Sequence, residues 1–317
     1  MIYIIIKRGV MMLHYTEFIA DFMNRYDYPA EAIETFTRVL KRLDEEKEFG
    51  DKMDKLVEGY MYPWADNMQE YLNGVIELSK EYDENECTLD FIFLLLCTPI
   101  VYERYKERGI PEETYWDTMA DLRCKLIECI KCEEVPGTFV AGWYNGFFKL
   151  ERFAYGRFQF EETDYDYNFD FVTKAGYRLT KGQKLIGFHI PSSGVPLTDE
   201  VRLDAYKKAY EQYKHLFPDG IMYFWCGSWL LYPRHKEFLP EKSNILKFMS
   251  DFELVSWSES EDFHDAWRIF DKYSDLPADQ LPTDTSLRKA YAEWLRAGNK
   301  GGSGSGVIVF DGEKILR

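Results

Sequence analysis

The stretch KLIGFHIPSSGVPLTDEVRLDAYKKAYEQY, from Lys184 to Tyr213, decides the fold of the second half of the chain. Its first residues are mostly apolar and predict a short buried strand, which ends at Pro191 because proline has no amide to give to a sheet. A polar bend follows, and Thr198 is a good N-cap for a helix. Apolar residues then recur at helical spacing and predict one buried helix face: Leu203, Tyr206, Tyr210, Tyr213 and Phe217.

The loop between this strand and this helix is a candidate anion site. Backbone amides near Ser192, Ser193 and Gly194 precede a helix N-terminus, where the helix dipole favours a phosphate. The segment 171–215 carries eight basic residues against four acidic ones, in a chain whose formal net charge is −16. A locally basic strip suits a polyphosphate, although Asp199 and Glu200 in the first helical turn oppose it. The alternative is a structural turn that binds nothing.

Size and composition narrow the class of protein. A length of 317 residues favours two domains, and 46% apolar residues predict a large folded core. The acidic net charge argues against nucleic acid as the main partner, because the overall field repels phosphate. Six cysteines without a compact framework indicate reduced thiols and a cytoplasmic protein.

The N-terminus holds a short apolar run, Ile2–Ile6. It is too short for the core of a signal peptide or for a membrane span, so no membrane partner is indicated. The run is either an additional edge strand or leader sequence ahead of a start at Met11 or Met12.

The first half of the chain shows helical apolar spacing over residues 16–134, which predicts a bundle of about five to seven helices. Within it, the apolar run 91–102 indicates a buried helix rather than a membrane helix. Cys124, Cys129 and Cys132 lie on one helix, the last two at a spacing that metal ligands use. Without a second such pair or a nearby histidine, they fit a helix face better than a metal site.

After Pro136 the composition turns to strands. Residues 153–160 alternate in the manner of one strand, and helices and strands then follow in turn. The later elements are predicted as strand 221–225, helix 244–251, strand 265–270, helix 286–297 and strand 307–310. This alternation predicts a mixed sheet with helices on its faces, so that the whole chain has an α+β fold.

A glycine-rich piece, GNKGGSGSG, occupies residues 298–306. It lacks a phosphate-binding pattern and runs from a helix into a strand, the reverse of a nucleotide loop. It therefore predicts a helix C-cap at Gly298 followed by a flexible loop, with no cofactor bound there.

Five stretches occur in a fixed order through the second half: GRFQFE (156–161), HIPSSGVPLT (189–198), CGSWLLYP (226–233), LPEKSNI (239–245) and LPTDTSL (281–287). In these the chain resembles a family of bacterial acyltransferases with a helical N-acyltransferase-type N-terminal domain and a GNAT-like C-terminal domain. The resemblance implies domains 1–140 and 141–317 and a GNAT-type sheet. It also implies acetyl-CoA or another acyl-CoA as donor, a small-molecule or peptide amine as acceptor, and no metal.

Two positions depart from that family. The segment at Cys226 usually has histidine next, where this chain has Gly227. The pyrophosphate loop of the acetyltransferase superfamily commonly reads [RQ]xxGx[GA], whereas this chain has PSSGVP, with one glycine and no arginine. The second departure favours a rival hypothesis, a non-catalytic GNAT-like protein that binds a ligand or partner and has lost CoA chemistry.

The resemblance implies direct acyl transfer, with the pantetheine arm held between parallel strands 184–190 and 221–225. It assigns the rest of CoA to the segment between the first strand and its helix: Ile190, Ser192, Ser193, Gly194, Thr198 and Arg202. The attacking amine must lose a proton, and His189 is the candidate base because histidine titrates near neutral pH. The alternative is a histidine that only caps the strand end.

Other side chains near the two strands carry further hypotheses. Tyr232 or Ser228, just beyond the second strand, is the candidate proton donor to the leaving thiolate. Cys226 is an alternative covalent nucleophile, which would need a neighbouring base and an oxyanion site. Arg157 and Gln159 alternate to one strand face and either meet substrate or only pair with the helical domain.

The five histidines show no metalloprotease spacing, which argues against a metal hydrolase. The sequence leaves open the acceptor and the acyl length. It also leaves open whether the helical half forms a lid over the acceptor site or the surface of a homodimer.

Overall fold

The computed structural model describes the backbone of residues 8–62 and 67–317, with side chains from residue 16 onward. The chain forms two compact units, Met1–Glu151 and Arg152–Arg317. The apolar run Ile2–Ile6, interpreted above as an edge strand or leader, lies outside the described residues. In the described part of the chain, no helix is both long and apolar enough to cross a lipid bilayer.

The first unit is helical, as its apolar spacing predicts. Its helices are α1 (Arg8–Arg25), α2 (Ala30–Glu45), α3 (Lys47–Met61), α4 (Met68–Glu81), α5 (Glu86–Glu107), α6 (Glu112–Met119), α7 (Asp121–Glu133) and the short α8 (Asn145–Phe148). Helix α2 shows how the sequence specifies this arrangement: Pro29 precedes it, and its buried residues recur at helical spacing, namely Ala32, Phe36, Val39 and Leu43.

Helix α5 lies at the centre of the helical unit. Its residues are buried from Thr88 to Val101, and helices α1, α2, α3, α4 and α6 all contact it. A helix that is apolar on every side must be covered on every side, so the prediction of a buried helix in this region is confirmed. On α7, Cys129 is buried while Cys124 and Cys132 are half-buried.

The second unit is built on a mixed sheet. Its strands are β1 (Arg152–Tyr155), β2 (Phe158–Asp164), β3 (Phe171–Val172), β4 (Arg178–Leu179), β5 (Lys184–His189), β6 (Met222–Ser228), β7 (Glu253–Ser260) and β8 (Gly301–Phe310). Its helices are α9 (Asp199–Tyr213), α10 (His235–Phe238), α11 (Asn244–Met249), α12 (Trp267–Phe270) and α13 (Ser286–Arg296). The α+β fold predicted from the sequence is confirmed.

The main sheet has the strand order β1-β2-β5-β6-β8-β7, and β3 and β4 form a separate hairpin. In the main sheet β5 and β6 are parallel, and the other neighbouring pairs are antiparallel. The connection from β5 to β6 is α9, as expected for a parallel pair that needs a crossover.

Two strand predictions are wrong. Residues 153–160 form a hairpin rather than one strand, because Gly156, with a φ of +66°, turns the chain between β1 and β2. The segment 265–270 contains helix α12, not a strand. The strand in this region is β7, which lies earlier in the chain at the edge of the sheet and was not recognised in the sequence.

The glycine-rich piece is mostly strand, so the prediction of a flexible loop is also wrong. Residues 301–306 pair with β6 or β7 as the first part of β8. A Cβ on Gly302 would lie 2.4 Å from the ring of Tyr232, and one on Gly304 would lie 2.4 Å from the carbonyl oxygen of Leu231. Glycine is needed because other parts of the chain approach this strand closely. Gly298 does follow the end of α13 with a φ of +80°, as predicted.

One face of the sheet packs against α9. The ring of Tyr206 on α9 lies 5.7, 5.9 and 5.5 Å from the rings of Phe158, Phe188 and Phe224, respectively. The buried face of α9 differs from the predicted one, because Leu203 is exposed. The buried positions are Arg202, Ala205, Tyr206, Ala209 and Tyr213, so a charged residue takes a place that the apolar pattern assigned to leucine.

Candidate active site

Strands β5 and β6 stop pairing before they reach their carboxyl ends. They pair through Ile186 with Phe224 and Gly187 with Trp225. Beyond these pairs β5 continues beside β2 as far as His189, and β6 continues beside β8 as far as Ser228. Two strands that keep their outer neighbours but lose each other leave a gap between them. We call the gap between residues 188–189 and 226–228 the β5–β6 wedge.

His189 lies at the edge of this wedge and is hydrogen-bonded to a carboxylate. Its Nε2 is 2.7 Å from Glu161 Oε1. On the other side, Arg152 Nε is 2.9 Å and its terminal nitrogen 2.7 Å from Glu161 Oε2. The cross-strand register of β1, β2 and β5 places the three side chains in a row on one face of the sheet. We call this row the Arg152–Glu161–His189 row.

The row keeps its carboxylate ionised. Burial alone would raise the pKa of Glu161, but the hydrogen bond to His189 and the charge of Arg152 outweigh it, and the pKa lies below its ordinary value. An ionised carboxylate only accepts hydrogen bonds, so Nε2 of His189 is the donor in this contact. In a neutral imidazole whose Nε2 donates, the lone pair is on Nδ1.

Gly227 is the residue of β6 in register with His189, two positions beyond the last paired residues on each strand. It is exposed, and a Cβ at this position would meet Ser305 Oγ at 3.3 Å. Because successive strand residues alternate between faces, Gly227 and His189 belong to the same face of the sheet. The absence of a side chain at Gly227 leaves room beside the histidine.

The loop from β5 to α9 is largely exposed at Ser192, Ser193 and Gly194, the residues predicted to hold a pyrophosphate. Gly194 has a φ of +77°, which lets the chain turn sharply here. The amide of Val195 donates to Ser193 Oγ over a long 3.4 Å. Ile190, at the start of the loop, is half-buried and packs against the core of the second unit.

Thr198 is the N-cap of α9, as predicted, and its Oγ1 accepts from the Val201 amide. Arg202 faces inward rather than toward the loop surface. It is 3% exposed, and its guanidinium donates to Asp251 Oδ2 at 2.6 Å and to the Leu197 carbonyl at 2.7 Å. The side chain therefore fastens the end of the loop to Asp251, two residues after α11, instead of presenting its charge to a ligand.

The three candidate residues in the last part of β6 and just after it differ in what they can do. Ser228 Oγ accepts from the Leu230 amide at 3.1 Å, and an accepting hydroxyl keeps its own proton for donation. Tyr232 is buried, and its hydroxyl donates to Glu259 Oε1 at 3.1 Å. Burial and Glu259 raise the pKa of Tyr232 to about 12. Burial also raises the pKa of the Cys226 thiol well above its usual range.

Arg157 and Gln159, which the sequence places on one strand face, have different surroundings in the structure. Arg157 Nε donates to the Val195 carbonyl at 2.9 Å, so it contacts the loop. Gln159 is buried in β2. Sequence reasoning did not single out Glu161 or Arg152, although Glu161 is the last residue of GRFQFE. The available signal was alternation, which places Glu161 opposite to Phe158 and Phe160 and hence on the polar face of β2.

A mixed sheet with one parallel pair between antiparallel neighbours is the arrangement of an α+β domain of the GNAT type. Comparison with family models agrees. Residues 17–150 match the N-acyltransferase N-terminal domain, and residues 153–308 match the GNAT-like C-terminal domain. The chain belongs to the GNAT-like N-acyltransferase family that joins these two domains.

Solved structures of similar fold are acyltransferases. An acyltransferase mutant in complex with octanoyl-CoA has a TM-score of 0.68 at 20% identity, over 92% of this chain and 87% of the other. An acyltransferase in complex with decanoyl-CoA and teicoplanin has a TM-score of 0.60 at 20% identity, over 92% and 99%. At this identity the likeness establishes the fold. No curated protein matches the chain.

Proposed function

We propose that this protein transfers an acyl group from acyl-CoA directly to an amine. The observation that carries the proposal is the β5–β6 wedge with His189 at its edge. A gap between splayed strands offers backbone groups to the amide-bearing pantetheine arm, much as an extended peptide adds to a sheet edge. The complexes of the fold relatives with octanoyl-CoA and decanoyl-CoA support a CoA thioester as the donor.

The reaction is a single displacement. The nitrogen of the amine attacks the thioester carbonyl carbon, a C–N bond forms, and the C–S bond breaks. The amine proton goes to Nδ1 of His189, because Nε2 already carries the proton that it shares with Glu161. The thiolate of CoA leaves and takes a proton from a donor group, which recovers one from solvent as His189 gives the amine proton up to solvent.

Of the two proposed donors to that thiolate, Ser228 is favoured. Its hydroxyl accepts at its oxygen and retains its proton, whereas the proton of Tyr232 is directed at Glu259. The raised pKa of Cys226 makes it a poor nucleophile, because the thiolate is the reactive form. Direct transfer is therefore favoured over an acyl-enzyme.

For the rest of CoA, we propose that the amides of Ser192, Ser193 and Gly194 take the pyrophosphate, with Ile190 and Thr198 at the two ends of the loop. Arg202 contributes by holding the loop through the Leu197 carbonyl. The exposure of the loop supports this assignment, since a phosphate can reach it.

We propose an acyl group longer than acetyl, with acetyl-CoA as a poorer donor. The space at Gly227 supports this, as do the medium-chain acyl-CoA complexes of the fold relatives. The proposed acceptor is an amine on a small molecule or peptide. One fold relative is bound to teicoplanin, which supports an acceptor larger than a free amino acid.

Binding and turnover test the proposal separately. Calorimetry with octanoyl-CoA and with CoA should show binding at micromolar to millimolar ligand. Turnover of octanoyl-CoA with ethanolamine and with a lysine-containing tripeptide is followed through release of the CoA thiol. His189→Ala should keep binding and lose about 100-fold or more in kcat, the usual contribution of a general base.

His215→Ala is the matched control, because His215 is exposed and bonds only to the nearby Gln212 carbonyl among its described contacts. It should keep full turnover. An absence of heat with millimolar CoA would refute the enzyme and favour the rival, a GNAT-like binding protein without CoA chemistry. Full turnover in His189→Ala would remove His189 as the base.

A further inference from the structure

Glu161 divides its two oxygens between two neighbours. Oε1 faces His189 Nε2 at 2.7 Å, and Oε2 faces two nitrogens of Arg152 at 2.9 and 2.7 Å. The Glu161 side chain is 25% exposed and that of Arg152 is 11% exposed, so both are largely removed from solvent. A carboxylate held from both sides in this way has little freedom to turn, and so it fixes the ring it contacts.

The geometry assigns to Glu161 the role of a positioning residue: it holds His189 in the tautomer whose Nδ1 accepts the amine proton, and Arg152 holds Glu161. This inference rests on the proposed acyl transfer. Glu161 touches neither donor nor acceptor in this mechanism and acts only through the imidazole. The proton that His189 gains stays on Nδ1 during the step, and Glu161 stays ionised.

The strand register explains why Glu161 can reach His189. Its directly paired residue on β5 is Gly187, and His189 is the diagonal neighbour two residues along. A Cβ at Gly187 would lie 3.6 Å from Glu161 Cγ and 3.3 Å from Thr163 Cγ2. The glycine therefore lets the glutamate side chain lie across β5 toward the histidine.

Among the described side chains, one carboxylate faces the charge that the histidine ring gains in the reaction. Glu161 approaches from β2 and, behind it, Arg152 from β1, while the position in register on β6 is Gly227, which brings no charge. The carboxylate stabilises the imidazolium that forms when the amine loses its proton. Arg152 keeps the carboxylate from taking that proton itself.

Kinetics of matched variants test the inference. Glu161→Gln keeps the shape of the side chain but loses its charge, and it should lower kcat about 10- to 100-fold, a part of what a general base contributes. Affinity for CoA should change less than about twofold, so that the loss falls on kcat rather than on binding. Glu161→Asp should recover part of the rate. The control is Glu162→Gln, on the opposite face of β2 and paired with Lys184.

A readout independent of turnover separates this inference from the proposed function. Nitrogen-15 NMR of histidine-labelled protein, with His189 identified by His189→Gln, should show the proton on Nε2 in the wild type. In Glu161→Ala, a mixture of tautomers should appear, with the cooperative unfolding transition retained. The same tautomer ratio in both proteins, or full turnover in Glu161→Gln, overturns the inference. Failure of the wild type to bind CoA would instead refute the proposed function.

Discussion

At the scale of single residues, the β5–β6 wedge has a histidine on one strand and a glycine on the other. His189 is the proposed base for the reaction. Gly227 is in register with it across the gap and has no side chain. Gly227 is exposed and lies within a strand, so another residue there would meet little besides Ser305 Oγ. Replacing the glycine should therefore change the stability of the fold little, and its main effect is to leave the space beside His189 open.

Replacing Gly227 with leucine should therefore impair function more than stability. We expect kcat/KM for octanoyl-CoA to fall about 10-fold or more, because the side chain occupies the space beside the reacting carbonyl, a loss equal to about 1.4 kcal/mol of transition-state binding. The midpoint of thermal unfolding should move by no more than a few degrees. Gly227→Ala is the control and should retain most of the rate. Equal loss of activity and stability in Gly227→Leu would show that the glycine serves packing.

At the scale of elements, the sequence predicts a helix or strand well where a local signal, such as an N-cap, is sufficient to place it. Helix α9 begins after Thr198, as the N-cap signal predicts. The first part of β8 was missed because its glycines resemble a linker, and their purpose depends on Tyr232 and Leu231, which are distant in sequence. The burial of Arg202 is hidden from the local pattern for the same reason, since its partner Asp251 lies 49 residues away.

Arg202 on α9 bonds both to Asp251 and to the end of the β5–α9 loop, so replacing it should affect both stability and the loop. Arg202→Met leaves Asp251 buried with only Tyr206 at 3.2 Å and Arg317 at 3.4 Å among its described partners. We expect the free energy of unfolding to fall by about 3 kcal/mol, as when one partner of a buried ion pair is removed. Affinity for CoA should fall several-fold as well, because the loop end at Leu197 loses its anchor. Urea unfolding and calorimetry measure the two effects.

The control for this variant is Lys208→Met on the same helix. Lys208 is exposed and pairs with Asp204 at 2.8 Å on the surface. Because surface ion pairs contribute little, its unfolding free energy should stay within about 0.5 kcal/mol of the wild type. If Arg202→Met lowered stability without any change in CoA affinity, the loop would not depend on this anchor.

At the scale of the whole molecule, the division into a helical part and a mixed-sheet part was predictable from composition and periodicity alone. The pairing order of the strands was not, since β8 enters between β6 and β7 and this depends on long-range contacts. The Arg152–Glu161–His189 row was missed for a related reason: its members are 9 and 28 residues apart and meet only through strand register.

Each of the two units also contains a buried titratable group. Asp90 on α5 is 8% exposed, and burial, with a smaller effect of Glu86, raises its pKa to about 7. His235 at the start of α10 is fully buried, and burial lowers its pKa to about 4. Asp90 is therefore neutral below about pH 7 and His235 above about pH 4, and the two groups respond to pH in opposite directions.

The sign of each response follows from proton linkage. Asp90 binds its proton more tightly in the folded state, so its contribution to stability is greatest below about pH 4 and is lost as pH rises through 7. His235 binds its proton more tightly in the unfolded state, so stability is unaffected above about pH 6.5 and is lost as pH falls toward 4. The helical unit should therefore lose stability toward alkaline pH and the mixed-sheet unit toward acid pH.

Urea unfolding of Asp90→Asn and His235→Phe at pH 5 and pH 8 measures these responses directly. The difference in unfolding free energy between Asp90→Asn and the wild type should be about 2 kcal/mol more in favour of the variant at pH 8 than at pH 5. The reason is that the variant has no buried carboxyl to ionise. For His235→Phe, the difference in unfolding free energy from the wild type should favour the variant more at pH 5 than at pH 8, by a similar amount. The variant lacks a base that only the unfolded chain can readily protonate. Comparing each variant at two pH values cancels the constant cost of altered packing, including the lost contact of His235 with Tyr291. A difference that is the same at both pH values would mean that the group is hydrated in the folded protein and that its burial does not control its charge.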